Sequence, residues 1–220
     1  MWYNNPMTKA NKLIFDKALN DMPHGWTNHS HHNDILGKRY RSMIRRTLPD
    51  WQKTHCTYEG VDVCEEWLTM SSFVAWAENK DWEGKELDKD ILCPGNKIYS
   101  PDTCVFVSRK LNGLLCGSDA IRGDCPKGVY YYKRENKYAV IIKIDGKKKW
   151  LGRYPTKPEA HRAYCEAKAA HIREIAENLT DKDTTDIERT RAGLLKHAVI
   201  EGNAWREAEN SGDSEADSVP

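Results

Sequence analysis

KELDKDILCPGNKIYSPDTCVFVSRKLNGLL, residues 85–115, decides how the rest of the chain is read. Lys85–Ile91 predicts a short strand. Cys93-Pro94-Gly95-Asn96 breaks periodic structure and predicts a loop. Ile98-Tyr99 resumes the strand. Ser100-Pro101 predicts a helix start, with Ser as N-cap and Pro at the first helical position. Cys104, Val107, Leu111 and Leu114 or Leu115 then follow at helical spacing and predict its buried stripe. Two strands and a helix of this size can carry one metal ion between hairpin and helix. Asp88 and Asp90, two residues apart on a strand, share a face and can approach one ion together. Lys89 points the other way. Asn112, on the predicted helix, is the opposing ligand.

With those residues in place, the stretch resembles the ββα-metal (His-Me finger) core of HNH endonucleases, in the phage-borne variety. The matching pieces are Leu87-Asp88-Lys89, Gly95-Asn96-Lys97 and Tyr99-Ser100-Pro101-Asp102-Thr103-Cys104, with Val63-Cys64-Glu65-Glu66-Trp67 upstream. The resemblance implies metal-dependent cleavage of DNA, with Mg²⁺ or Mn²⁺ on hard oxygen ligands and stabilising the leaving oxygen. It departs from the family in its histidines. None lies between Tyr58 and Ala160, so the hairpin lacks the usual general base. Thr103 stands at the family's helix Asn position and Asn112 at its final His. Asn96 braces the loop or ligates. The catalytic and metal residues expected are therefore Asp88, Asp90 and Asn112, with Asn96 and Thr103 in structural roles.

The whole chain sets bounds on this reading. It has 220 residues, a mean hydropathy of −0.78 and 30% charged residues. No apolar run approaches the roughly 18 residues that cross a bilayer. No basic-then-apolar start marks a signal peptide. Seven cysteines without a CxxC pair predict free thiols in a reducing compartment. The resemblance to phage-borne proteins implies a location in the bacterial host cytoplasm. Cys64 and Cys104 with Cys56 or His55 match no zinc spacing, so zinc is not expected.

Residues 1–33 read as a polar arm, with a short helix over Asn11–Leu19. His24, His29, His31 and His32 read as a solvated loop, because no cysteine stands at zinc spacing. Ile35–Leu48 predicts a helix carrying Lys38, Arg39, Arg41, Arg45 and Arg46. Arg41, Arg45 and Arg46 are its candidate phosphate contacts, which position a protein on a duplex without reading bases. Met70–Asn79 predicts a second helix.

Beyond a turn-rich linker at 117–126 the pattern changes. Lys127–Lys133, Asn136–Ile144 and Lys147–Tyr154 predict three strands, the last two joined by Asp145-Gly146, a strong hairpin signal. A helix follows from Lys157 behind a Thr156/Glu159 capping box. Tyr138, Val140 and Ile142 alternate with Lys137, Ala139, Ile141 and Lys143, leaving a basic face. Residues 127–173 hold 13 Lys and Arg against four Asp and Glu, the electrostatic footprint of DNA binding. The unit resembles the Apetala-two DNA-binding domain through Gly128-Val129, Lys137-Tyr138-Ala139, Trp150-Leu151-Gly152, Glu159-Ala160 and Ala163-Tyr164. The resemblance implies that the sheet enters the major groove, with Tyr130, Ile141, Lys143, Lys148 and Trp150 as reading residues. Lys137 joins them on the basic face. Ile141 replaces the family's usual acidic residue.

Residues 176–209 read as a helical extension opened by a second capping box, Thr185/Glu188, and offer a surface for a protein partner. Residues 210–220 read as a disordered acidic tail. The fold class expected is α+β: a degenerate HNH-like core over 34–116, a three-stranded antiparallel sheet with one packed helix over 127–175, and the helical extension. The leading functional reading is a homing-type endonuclease that nicks or cuts double-stranded DNA. The alternative is a catalytically inactive protein on a decayed core that binds DNA or a host factor.

Overall fold

The computed structural model describes residues 12–26, 30–115 and 125–210, with side chains to 206. The fold is mixed α+β, with short sheets and six α-helices among the described residues. It divides into two compact units, Met1–Asn112 with Lys182–Thr185, and Gly113–Asp181 with Asp186–Pro220. Residues 117–124 of the expected linker lie outside the described residues, as do the tail 211–220 and His29.

The first unit opens with a hairpin, β1 (Lys12–Ile14) and β2 (Ala18–Asn20), where a short helix was expected. Ile14 and Ala18 face each other across it and enter the same core as the following helix, so this hairpin packs on the first unit's core. Helix α1 (His31–Arg46) begins one turn earlier than its apolar pattern suggests. Ser30 caps it by accepting from Asn33 N at 3.1 Å. Leu36, Tyr40, Met43 and Ile44 recur at helical spacing and are buried. After the short helix α2 (Pro49–Thr54), they meet Met70, Phe73, Val74 and Ala77 of α3 (Met70–Glu78) around the fully buried Trp67. The Tyr40 hydroxyl donates to Trp67 O at 2.9 Å, so this buried phenol is satisfied.

The key stretch folds differently from its reading. Strand β4 (Glu86–Asp88) pairs with β6 (Val105–Val107), antiparallel, with Leu87 opposite Phe106. Strand β5 (Ile98–Tyr99) pairs instead with β3 (Asp62–Val63), in parallel. The predicted helix from Ser100 is a single turn. Ser100 Oγ accepts from Thr103 N at 3.2 Å and meets Thr103 Oγ1 at 2.9 Å, closing it locally. Val105-Phe106-Val107 then suit a buried strand better than a helix. The helix, α4 (Arg109–Leu115), starts only after Ser108. Ser108 N donates to Asp183 O at 2.7 Å, and its Oγ accepts from Leu111 N at 3.3 Å.

The second unit contains the antiparallel sheet β7 (Val129–Tyr132), β8 (Lys137–Ile144) and β9 (Lys147–Tyr154), in that order. The β8–β9 turn has Asp145 at φ +48° and Gly146 at φ +78°, which Asp-Gly supplies readily. Helix α5 (Lys157–Glu177) carries the capping box: Glu159 N donates to Thr156 Oγ1 and Thr156 N to the Glu159 carboxylate. It seals one face of the sheet with Ala160, Tyr164 and Cys165 on Val129, Val140 and Ile142. Helix α6 (Ile187–Asn210) packs back along α5 within this unit, whereas Lys182–Thr185 of the expected helical extension belong to the first. It starts at Ile187, which puts Asp186 rather than Thr185 at the cap position. Among the described residues no helix is long and apolar enough to cross a membrane.

Candidate nucleic-acid interface

The outward face of the second unit's sheet follows from strand alternation and one irregularity. Opposite residues share a face, so the register groups Tyr130 with Ala139 and Arg153, Tyr132 with Lys137, Ile141 with Trp150, and Lys143 with Lys148. This is the face away from Val129, Val140 and Ile142. Tyr130 is 56% exposed and Trp150 52%, high values for such large side chains. Lys137, Lys143 and Lys148 are exposed beside them. The structure therefore brings all six sheet residues expected from the sequence onto one surface.

Between Val140 and Ile141 the register with β9 slips: Val140 faces Gly152, and Ile141 faces Trp150. Leu151 is the extra residue of a β-bulge and turns to the core. Arg153 consequently shares the outward face with Trp150. Its guanidinium carbon lies 4.5 Å from the Tyr132 ring centroid and 5.4 Å from that of Trp150. Glu135 forms an ion pair with its Nη1. An arginine held flat by aromatic rings keeps its planar donor fork ordered for an anion or a base edge. Arg153 and Tyr132 were not among the expected residues. The isolated Gly152 inside a strand was the available sign of a bulge.

In the first unit, the cations of α1 diverge. Lys38 pairs with Asp34. Arg39 lies over Trp82 and Phe106. Arg46 is turned inward: Nη1 donates to the Tyr99 hydroxyl at 3.1 Å. Burial lifts that phenol to about 12 against the pull of Arg46, so the oxygen stays a neutral acceptor. Arg46 is therefore part of the packing rather than a surface phosphate contact. Arg45 is exposed, and Arg41 is half-buried one turn before it.

The expected catalytic residues do not form the arrangement read from the sequence. Strand β4 ends at Asp88, so Asp88 and Asp90 do not share a strand face. Asp88 Oδ1 accepts from Asp90 N at 2.7 Å and Ile91 N at 2.8 Å, capping the turn after the strand. Burial raises its pKa above the usual carboxylate value despite those two donors. Lys89 is the unexpected centre: its side chain is only 8% exposed. Its ammonium reaches Asp90 Oδ1 and, at 3.0 Å, Asn96 O, above the Tyr99 ring. Asn96 Nδ2 returns to Lys89 O at 2.9 Å and Ile98 O at 2.7 Å, and Thr103 Oγ1 also donates to Ile98 O. Asn112 is on α4, with its N–H donating to Ser108 O at 2.9 Å. Among the described residues no three His, Cys, Asp or Glu side chains form a group suited to a metal ion. His31 and His32 lie in the first turn of α1, with His32 between Glu78 and Glu83.

Compared with protein-family models, curated proteins and solved structures, the chain matches none. The site must be argued from its own chemistry. The motif that carries the HNH resemblance is a knot of mutual hydrogen bonds around Lys89. The outward sheet face supplies cations and exposed π-surfaces, which suit a polyanion with stacked bases.

Proposed function

We propose that this protein binds double-stranded DNA through the outward face of the β7–β8–β9 sheet. The observation carrying the proposal is Arg153, held between Tyr132 and Trp150 and flanked by Lys137, Lys143 and Lys148, on a sheet whose other face α5 seals. Lysines supply phosphate contacts, and the ordered arginine with Tyr130, Ile141 and Trp150 meets base edges in a groove. The similarity of residues 127–173 to Apetala-two domains supports the same reading.

In the first unit, the interlocked Asp88, Lys89, Asn96 and Thr103 support a nuclease-like core kept as a scaffold over one that hydrolyses DNA. Metal-dependent cleavage through Asp88, Asp90 and Asn112 remains the reading suggested by the motif, and a cleavage assay separates the two. The direct test of DNA binding is fluorescence anisotropy of labelled duplexes across a salt series. Lys143→Ala with Lys148→Ala should lower the slope of log K against log salt by about two, near 0.9 per lost phosphate contact. An unchanged slope places the DNA elsewhere.

A further inference from the structure

The β1–β2 hairpin ends in a turn closed by Lys17 N donating to Ile14 O at 3.2 Å. Its two central residues, Phe15 and Asp16, have φ of +55° and +56°. That is the backbone of a tight hairpin turn for which Asn-Gly is favoured. A bulky aromatic residue there is an outlier, because its Cβ crowds the backbone at positive φ. The ring is left 39% exposed, and Leu13, two residues back on β1, is 52% exposed. Ile14, between them, makes the core contact. Strain combined with exposed apolar surface at a loop tip points to a contact outside the fold.

The surroundings say what that contact is. The Arg45 guanidinium lies 5.4 Å from the Phe15 ring centroid and 5.4 Å from that of Trp51. Trp51 is stacked on His55 at 3.9 Å with rings 6° from parallel. Arg41 follows one turn back on the helix, and Lys12 is exposed on β1. Neighbouring carboxylates are engaged: Asp62 with Lys17 and Asp50 with Lys53. An apolar tip beside an ordered arginine is the equipment of a wedge that enters between base pairs while a cation holds the adjacent phosphate.

We infer that Leu13 and Phe15 form a wedge that inserts between base steps of a DNA duplex and kinks it, with Arg45 on the flanking phosphate. This rests on the proposal that the chain binds double-stranded DNA. It adds a second contact, in the other unit, with a different output. Asp16 opposes a phosphate, so Asp16→Asn should tighten binding. Flexible pyrimidine–purine steps should be preferred over A-tracts.

The test uses the full chain and duplexes of about 25 bp with a central run of TpA steps, donor and acceptor dyes on opposite ends, in EDTA. Anisotropy reads binding, and energy transfer reads bending. The unaltered chain should bind and raise transfer. Phe15→Ala with Leu13→Ala should remove the rise while weakening binding no more than about tenfold. Phe15→Gly relieves the turn's strain and should also lose the bend with no loss of thermal stability, which separates the wedge from misfolding. Binding without any rise in transfer, or a rise that survives Phe15→Gly, overturns the wedge and leaves the sheet proposal standing. No binding by the unaltered chain overturns both. If the double variant changes only self-association of the chain, the tip is a protein contact and the inference falls.

Discussion

Gly128 lies under the ring of Tyr164 so closely that a Cβ added to it would sit 2.0 Å from Tyr164 Cδ2. Gly128 also has φ +76°, which disfavours a side chain on its own account. The contact brings the start of the sheet against α5, where Tyr164 joins Val129, Val140 and Ile142 in the core. Gly128→Ala should therefore destabilise the second unit by at least about 3 kcal/mol, from strain and overpacking together. Urea unfolding followed by the sheet's circular dichroism is the measurement. In combination with Tyr164→Ala the glycine substitution should cost less than alone, the sign of direct coupling.

Asp88 gives the first unit a pH signature. Its folded pKa is raised, so the protonated form is favoured on folding. Its contribution is then complete below the ordinary carboxylate value of 3.8 and declines as pH rises through the folded value. Asp88→Asn keeps an oxygen for the Asp90 and Ile91 amides without the buried charge. Its stability relative to the unaltered chain should improve as pH rises above the ordinary carboxylate value and level off once the folded value is passed. Asp88→Ala, which leaves both amides without their acceptor, should be about 1–3 kcal/mol less stable than Asp88→Asn at every pH. A flat difference between the Asn variant and the parent would remove the buried-carboxylate account.

Arg153→Lys tests whether the ring-held guanidinium matters as a shape or only as a charge. Lysine preserves the charge but neither stacks between Tyr132 and Trp150 nor presents a planar fork. Duplex affinity should fall by about tenfold, within the 1–3 kcal/mol expected of a good base contact. The salt slope should stay nearly constant. Retained affinity would reduce Arg153 to one cation among several.

Cleavage is the discriminating assay for the first unit. Supercoiled DNA incubated with the protein and Mg²⁺ or Mn²⁺ is expected to be bound and to stay supercoiled, because Asp88 caps a turn and Asp90 faces the Lys89 ammonium. Nicking that depends on the metal and disappears in Asp90→Ala would instead establish hydrolysis.

Thiol labelling provides an independent check of packing. Cys56 is exposed, whereas burial pushes the Cys104 thiol to about 12 and the Cys165 thiol to about 11. At pH 7.5 Cys56 should react within minutes, while Cys104 and Cys165 should react only once denaturant opens their units. Mass spectrometry of the labelled peptides reads the outcome.

The parts of this fold that were legible in sequence are those fixed by neighbours along the chain. The alternation of Tyr138 to Lys143, the Asp145-Gly146 turn and the Thr156/Glu159 box each need only a few adjacent residues. The parts that misled depend on distant partners. Ser100-Pro101 carries a sound local helix signal, yet Val105–Val107 are claimed by Glu86–Asp88. The short helix read over Asn11–Leu19 gives way to a hairpin because Ala18 pairs with Ile14. On a strand running on to Ile91, Lys89 would point away from Asp88 and Asp90. The strand ends at Asp88, three residues before Ile91, and Lys89 becomes the buried centre of the loop.

The extra residue in β9 has a practical corollary for transplantation. Leu151 resets the phase of its strand, so Trp150 and Arg153 stand side by side although an odd count separates them. Anyone moving this surface onto another scaffold by copying side chains at every second position would lose half of it. The irregularity has to travel with the residues.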